Sequence, residues 1–315
     1  MRFLVFGTGG VGGFFGAKLA HAGEDVWFIA RGKHLEALKA EGLHIKSTAG
    51  DFTIPSGKMT HDLSHVGTAD VVLFCVKSYD TERAARQIAS ILHENSIVLC
   101  LQNGVNNEEK IERIITRGTV YGGVAYISAR ITAPGVITES GGFQRIVFGP
   151  LRGPIGDRAL QIQRSFVQAG VKCDVRDDVV KEIWKKYIFI ASMGSFTALS
   201  RLTQGEILAN RHTLALVFDA MREVQEIAWK LGVDVEPLDE AKVTEGLKRF
   251  DSDTRSSLYY DLVNEKPMEI EALNGNVVQL GQELGVPTPI HRVIYTTLLP
   301  YHLKHVEKLS AQAQV

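Results

Sequence analysis

The 315 residues comprise 45% hydrophobic, 8% aromatic and 23% charged side chains, ordinary values for a globular protein that exclude collagen, coiled coil and disorder. Thirty-five basic residues against 36 acidic ones leave a formal charge of −1, so no basic excess draws the chain to a polyanion and nucleic acid is not an expected partner. Cys75, Cys100 and Cys173 are odd in number and widely spaced, which reads as free buried thiols in a reducing compartment rather than a disulfide framework.

In chain order, the apolar run Arg2 to Phe6 predicts a strand and the segment from Val11 to Ala22 an amphipathic helix, together one βα unit. A second strand, Asp25 to Ala30, leads to a helical pattern at His34 to Glu41. Further strands are expected at Val71 to Val76, Ile97 to Leu101, Val120 to Ile127 and Ile146 to Phe148. Such alternation predicts a mostly parallel, doubly wound α/β sheet. Gly135 and Gly141-Gly142 punctuate what reads as a hairpin, expected to put an antiparallel edge on the sheet. A helix from Asp157 to Gly170 and a strand from Val171 to Val175 close this domain, taken as residues 1–177.

From about Asp178 the strand-like alternation stops, and residues 178–315 predict an all-α domain. Its helices are expected at Lys181 to Leu199, His212 to Leu231, Leu238 to Phe250, Glu269 to Leu284 and from Ile290 onward, with stops at Gly232 and at Gly285 followed by Pro287. The opening apolar run is too short for a signal-peptide core, and the stretch Tyr187 to Leu199, broken by Ser192, Gly194 and Ser195, falls short of a membrane span. A cytoplasmic protein with no membrane partner is expected. With no CxxC and no HExxH, no metal is expected either.

Immediately after the first strand stands Gly7-Thr8-Gly9-Gly10-Val11-Gly12, a GxGxxG spacing between a predicted strand and a predicted helix. In that context Gly7 permits the tight turn, Gly9 lets backbone approach a pyrophosphate, and Gly12 lets helix and strand pack closely, while the helix N-terminus attracts phosphate. Roughly twenty residues on, where an NAD site places an acid for the ribose hydroxyl, this chain has Arg31. A guanidinium pairs with a 2′-phosphate that a carboxylate would repel, so NADP(H) is the expected cofactor, with Lys33 as an auxiliary cation.

Lys77, in Val76-Lys77-Ser78, and Asn103, in Gln102-Asn103-Gly104, follow the carboxyl ends of later strands, where open α/β sheets hold ligands. Taken alone, a lysine there is more often solvated and an Asn-Gly pair more often a turn. Lys186, at the edge of the apolar run Tyr187 to Ala191, becomes a proton donor near neutral pH if desolvated, or else an amphipathic lysine reaching water. Glu269 is similarly open, since helix starts favour acids for dipole reasons alone.

Together, GTGGVG, Arg31, Val-Lys-Ser at Lys77, Gln-Asn-Gly at Asn103, Trp-Lys-Lys at Lys186, Ser256-Ser257 and Glu-Ile-Glu-Ala-Leu-Asn-Gly at Glu269 resemble the ketopantoate reductase (2-dehydropantoate 2-reductase) family, in order and spacing from Gly7 to Gly275. The resemblance implies a Rossmann domain followed by an all-α domain, and NADPH-dependent reduction of ketopantoate to pantoate on the route to pantothenate and coenzyme A. It implies Lys186 as general acid, Glu269 as the acid holding the substrate hydroxyl and Ser257 as a substrate-binding serine. Asn103 would lie between nicotinamide ribose and substrate, Lys77 near cofactor and active site, and Arg31 at the 2′-phosphate.

One departure bears on the substrate. The best-known members of the family carry asparagines four and eight residues after the catalytic lysine, on one helical face; here those positions are Ile190 and Gly194. A pocket without those amides discriminates the pantoyl hydroxyl less well, unless Ser192 or Ser195 replaces them. A reductase of another small-molecule 2-oxo acid is therefore an alternative, and a non-catalytic NADP(H) sensor on the same fold is another. The sequence carries no interface code that decides between monomer and homodimer.

Overall fold

In the computed structural model, which describes residues 1–249 and 251–312, the expected alternation appears as β1 (Arg2–Phe6), α1 (Gly10–His21), β2 (Asp25–Ile29) and α2 (Gly32–Glu41). Three short strands follow, β3 (Leu43–Lys46), β4 (Phe52–Ile54) and β5 (Met59–Thr60). The chain continues through β6 (Ala69–Phe74), α3 (Thr81–Ile88), β7 (Leu92–Cys100), α4 (Asn107–Glu112), β8 (Thr119–Ala133), β9 (Val136–Pro150), α5 (Asp157–Gln168) and β10 (Lys172–Val175). The strands form one sheet in the order β4-β3-β9-β8-β7-β6-β1-β2-β5, with β10 beside β9. The chain forms two compact units, Met1–Gln102 with Asn106–Ile183, and Asn103–Val105 with the chain from Trp184 onward.

The central strands β2, β1, β6, β7 and β8 run parallel, and side chains alternate between two cores. Phe3 and Val5 of β1 join Val71, Leu73 and Leu99 on one face, while Leu4 and Phe6 join Val72, Phe74 and Val98 on the other. Strands buried on both faces must read as continuous apolar runs, which is why these were legible. Phe166 of α5 meets both Phe3 and Phe15 edge-on with ring centroids 6.4 Å apart, tying two helices to the central strand.

The antiparallel part differs from the expectation. β8 and β9 pair across Pro134-Gly135, with Gly135 at φ +76°, but this pair lies inside the sheet, and the antiparallel edge is β4 on β3. Gly141-Gly142 is no turn: both residues lie within β9 at positive φ. There the register passes from Tyr126↔Arg145 to Ser128↔Ser140, fewer steps along β8 than along β9, so the glycines form a bulge. Of the three cysteines, all free, Cys100 and Cys173 are buried and Cys75 is only half-buried.

The second half is helical from α6 (Val179–Phe189) through α7 (Ser195–Ser200), α8 (Gln204–Ala209), α9 (Arg211–Lys230), α10 (Glu240–Leu247), α11 (Ser257–Val263) and α12 (Asn276–Leu284) to α13 (Pro289–Gln312). The expected end of one helix, Phe250, lies outside the described residues. Two expected helices carry π-helical turns: Ile190–Gly194 joins α6 to α7, and Glu271–Gly275 leads into α12. α8 opens with a full capping box in which Thr203 and Glu206 satisfy each other's backbone N–H groups. The carboxylate of Glu223 on α9 accepts the N–H groups of Ile290 and His291, which fixes the start of α13.

Candidate active site

From β1 the chain goes to β2 and β5 on one side, and β6 and β7 lie on the other. β1 and β6 therefore flank a topological switch point, the place where open α/β sheets bind ligands beyond the carboxyl ends of their strands. Gly7 sits there at φ +106°, and a Cβ on it would lie 2.7 Å from the Cys75 carbonyl carbon. A Cβ on Gly12 would stand 2.4 Å from the Gly7 oxygen. These two glycines are thus required by the protein's own packing.

Gly9 is different. Its backbone, at φ −89° and ψ −164°, suits any residue, and a Cβ there would meet no described protein atom within 4 Å. No side chain caps α1 and its first turn carries no acid, so the start of the helix keeps its positive character for an anion. An open cradle at Gly9 below a helix N-terminus fits the pyrophosphate of a dinucleotide. Thr8 fixes the loop by donating both its N–H and its hydroxyl to the Ile29 carbonyl, at 3.1 and 2.8 Å. Gly10 and Val11 begin α1.

Arg31 follows β2 as the exposed residue preceding α2, its Nη2 3.4 Å from Gln87 Oε1. Lys33 is exposed in the same turn. Lys77 is half-buried before a 3₁₀ turn at Ser78–Asp80. Residues to which the sequence assigns no role of their own hold this edge together. Gln102 Nε2 donates to the Val76 carbonyl and to Thr81 Oγ1, both at 2.9 Å, and the Thr81 hydroxyl reaches the Ser78 carbonyl and Asn107 Oδ1. His34 Nδ1 accepts the Gly135 N–H at 3.0 Å, which places the ring proton on Nε2, and burial holds its imidazole below the usual histidine range. The only sequence signal for these was polarity at positions between apolar runs.

Asn103, three residues beyond β7 and half-buried, groups with the second unit. In that unit Lys186 occupies the last turn of α6 and is half-buried, as are Phe189 and Ile190 three and four residues on, which places an apolar surface on its helical face. The preceding Lys185 pairs with Glu236 at 3.0 Å. Glu269 is 7% exposed, and its carbonyl accepts the Leu273 N–H at 3.0 Å as the second π turn begins. Ser257 is exposed at the first position of α11, while its neighbour Ser256 caps that helix and donates to the Gly194 carbonyl at 2.7 Å.

Neither serine considered as a replacement for the family's amides is accessible. Ser195 Oγ donates to Asn274 Oδ1 at 2.6 Å, and both Ser192 and Ser195 are fully buried. Among the described residues no group of three or more His, Cys, Asp or Glu side chains could hold a metal, and no helix is long and apolar enough to cross a membrane.

Residues 3–153 match the family described as Ketopantoate reductase PanE/ApbA, and residues 178–302 match Ketopantoate reductase PanE/ApbA C terminal. A 2-dehydropantoate 2-reductase from Mesorhizobium japonicum is 31% identical over 310 residues, covering 92% of this chain and 94% of the relative. An uncharacterized oxidoreductase, YkpB, of Bacillus subtilis is 29% identical over 306 residues, covering 96% and 99%. The crystal structure of a PanE/ApbA family ketopantoate reductase from Ralstonia eutropha JMP134 superposes with a TM-score of 0.88 at 31% identity, covering 97% of this chain and 99% of that one. With both halves matched and the dinucleotide loop built as described, the chain belongs to the ketopantoate reductase family.

Proposed function

We propose that this protein is an NADPH-dependent 2-oxo acid reductase whose substrate is 2-dehydropantoate, acting in the cytoplasm on the route to pantothenate. What carries the reading is that one chain joins the glycine loop at the switch point, and Arg31 after the neighbouring strand β2, to a helical half bearing Lys186 and Glu269, over the span of the family match. Residues 1–177 bind the cofactor and contribute Asn103 to the substrate, and residues 178–315 carry the other substrate-binding and catalytic groups. When bound, the reduced nicotinamide dinucleotide supplies the hydride for the substrate's carbonyl carbon.

The chain's own residues do the rest. The Gly7–Gly12 loop and the start of α1 take the pyrophosphate, Arg31 pairs with the 2′-phosphate, and Lys77 and Asn103 bind on the nicotinamide side. The Lys186 ammonium donates its proton to the carbonyl oxygen, and its charge stabilises the alkoxide as it develops. Glu269 accepts a hydrogen bond from the substrate hydroxyl, and Asn103 and Ser257 bind the substrate. A second reading, reduction of a 2-oxo acid lacking that hydroxyl, is favoured by Ile190, Gly194 and the burial of Ser192 and Ser195.

Lys186→Ala tests the assignment and the sensor alternative together. Loss of a general acid lowers kcat by about 10²- to 10⁴-fold with NADPH affinity unchanged. Wild-type turnover in Lys186→Ala removes that residue from the chemistry, and NADPH binding by the wild type without turnover of any 2-oxo acid favours a sensor.

A further inference from the structure

We propose that Tyr187 and Asn274 are positioning residues, which set Lys186 and Glu269 by clamping two π-helical turns to each other. The proposal rests on the reading of Lys186 as proton donor and Glu269 as substrate anchor. π-Helix accounts for well under 1% of residues in globular proteins, and single π turns recur at functional sites. Here one such turn, Ile190–Gly194, begins four residues after Lys186, and the other, Glu271–Gly275, begins two residues after Glu269.

The wider turn loosens the regular carbonyl ladder, and in each case a side chain from the other element meets the carbonyls. Tyr187, next in sequence to Lys186, donates its hydroxyl to the Leu273 carbonyl at 2.6 Å, with the Ala272 carbonyl at 3.3 Å. The same oxygen accepts from Asn276 Nδ2 at 3.3 Å. In the opposite direction Asn274 donates Nδ2 to the Ala191 carbonyl at 2.9 Å, while its Oδ1 accepts the Ser195 hydroxyl at 2.6 Å. Tyr187 is 1% exposed and Asn274 and Ser195 are fully buried, so water does not compete for these bonds and removing one leaves its partner unpaired. A network that served stability alone could join any two helices. This one joins the segment after Lys186 to the segment after Glu269, in both directions, where proton transfer and substrate anchoring require placement to a fraction of an ångström.

The test uses the full chain with Tyr187→Phe, which keeps the ring and removes the hydroxyl, and with Ser195→Ala, which removes one donor of the same network should the first variant fail to fold. Expected are an unchanged Kd for NADPH, a fall in kcat for the 2-oxo acid of roughly 10- to 100-fold, a raised KM, and a shifted basic limb of the pH–kcat profile. The Lys186 titration is read separately by NMR of ¹³C-methylated lysines, its signal assigned by loss in Lys186→Arg, and it is expected to move in Tyr187→Phe. Folded variants with a lowered Tm but wild-type kcat, KM and pH profile overturn the proposal. If the wild type reduces no 2-oxo acid, the functional reading fails on its own, and an unmoved Lys186 titration then overturns the clamp while a moved one upholds it.

Discussion

Replacing Gly9 by alanine separates the two kinds of glycine in the GTGGVG loop. The backbone there is one that alanine adopts, and the new methyl would meet no described protein atom within 4 Å. Gly9 is the N-cap of α1, where alanine is poorer than glycine by roughly 0.5–1 kcal/mol, and this offsets the gain of about 0.4–1 kcal/mol from lowering the entropy of the unfolded chain, so the Tm of the apo protein holds to within roughly 2 °C. If the loop takes the pyrophosphate as proposed, the methyl fills the space it needs, costing one or more charge-assisted hydrogen bonds of about 1.5–3 kcal/mol, or roughly 10- to 150-fold in NADPH Kd. Gly10→Ala is the contrast: its Cβ would stand 2.1 Å from the Ala129 carbonyl oxygen, an overpacking that costs about 1–3 kcal/mol or more in the apo protein. Thermal unfolding without cofactor and fluorescence titration with NADPH give both quantities. A Gly9→Ala protein that binds NADPH like the wild type, or that unfolds as early as Gly10→Ala, refutes the reasoning.

Burial raises the Glu108 carboxyl from its ordinary 4.5 to about 7, so the folded state holds its proton more tightly and stability is lost as pH rises between those values. The loss is about 3 kcal/mol; urea unfolding at pH 5 and pH 8 should show it in the wild type and lack it in Glu108→Gln, and parallel behaviour of the two proteins contradicts it. Arg31→Ala should weaken NADPH binding about 10- to 100-fold and leave NADH nearly unaffected. Equal losses for the two cofactors, measured by titration, would remove Arg31 from the 2′-phosphate site.

The strand–glycine turn–helix unit was legible because it is local: Arg2–Phe6, the GTGGVG turn and α1 stand within about twenty residues. The long apolar strands and amphipathic helices were legible for the same reason. β3, β4 and β5 were not, since runs such as Leu43–Lys46 and Met59–Thr60 are too short for periodicity and exist because neighbouring strands accept them. Gly141-Gly142 has the composition of a turn, and only the pairing of β9 with β8 turns it into a bulge. The π turns were hidden most completely. Ile190 and Gly194 share a face with Lys186 on an ideal helix, but one widened turn alters the rotation beyond it, and Ser195 becomes a buried donor to Asn274. The burial of Glu108 and the bridging role of Gln102 were not legible because both are set by the helices and strands packed around them.

The central claim is that the chain reduces a 2-oxo acid with NADPH, and steady-state NADPH oxidation with 2-dehydropantoate and a panel of other 2-oxo acids, repeated with NADH, tests it most directly. The account predicts turnover with 2-dehydropantoate and a strong preference for NADPH. Turnover confined to an oxo acid without the pantoyl hydroxyl would transfer the assignment to the pocket marked by Ile190 and Gly194, and no turnover with any member of the panel would contradict the account.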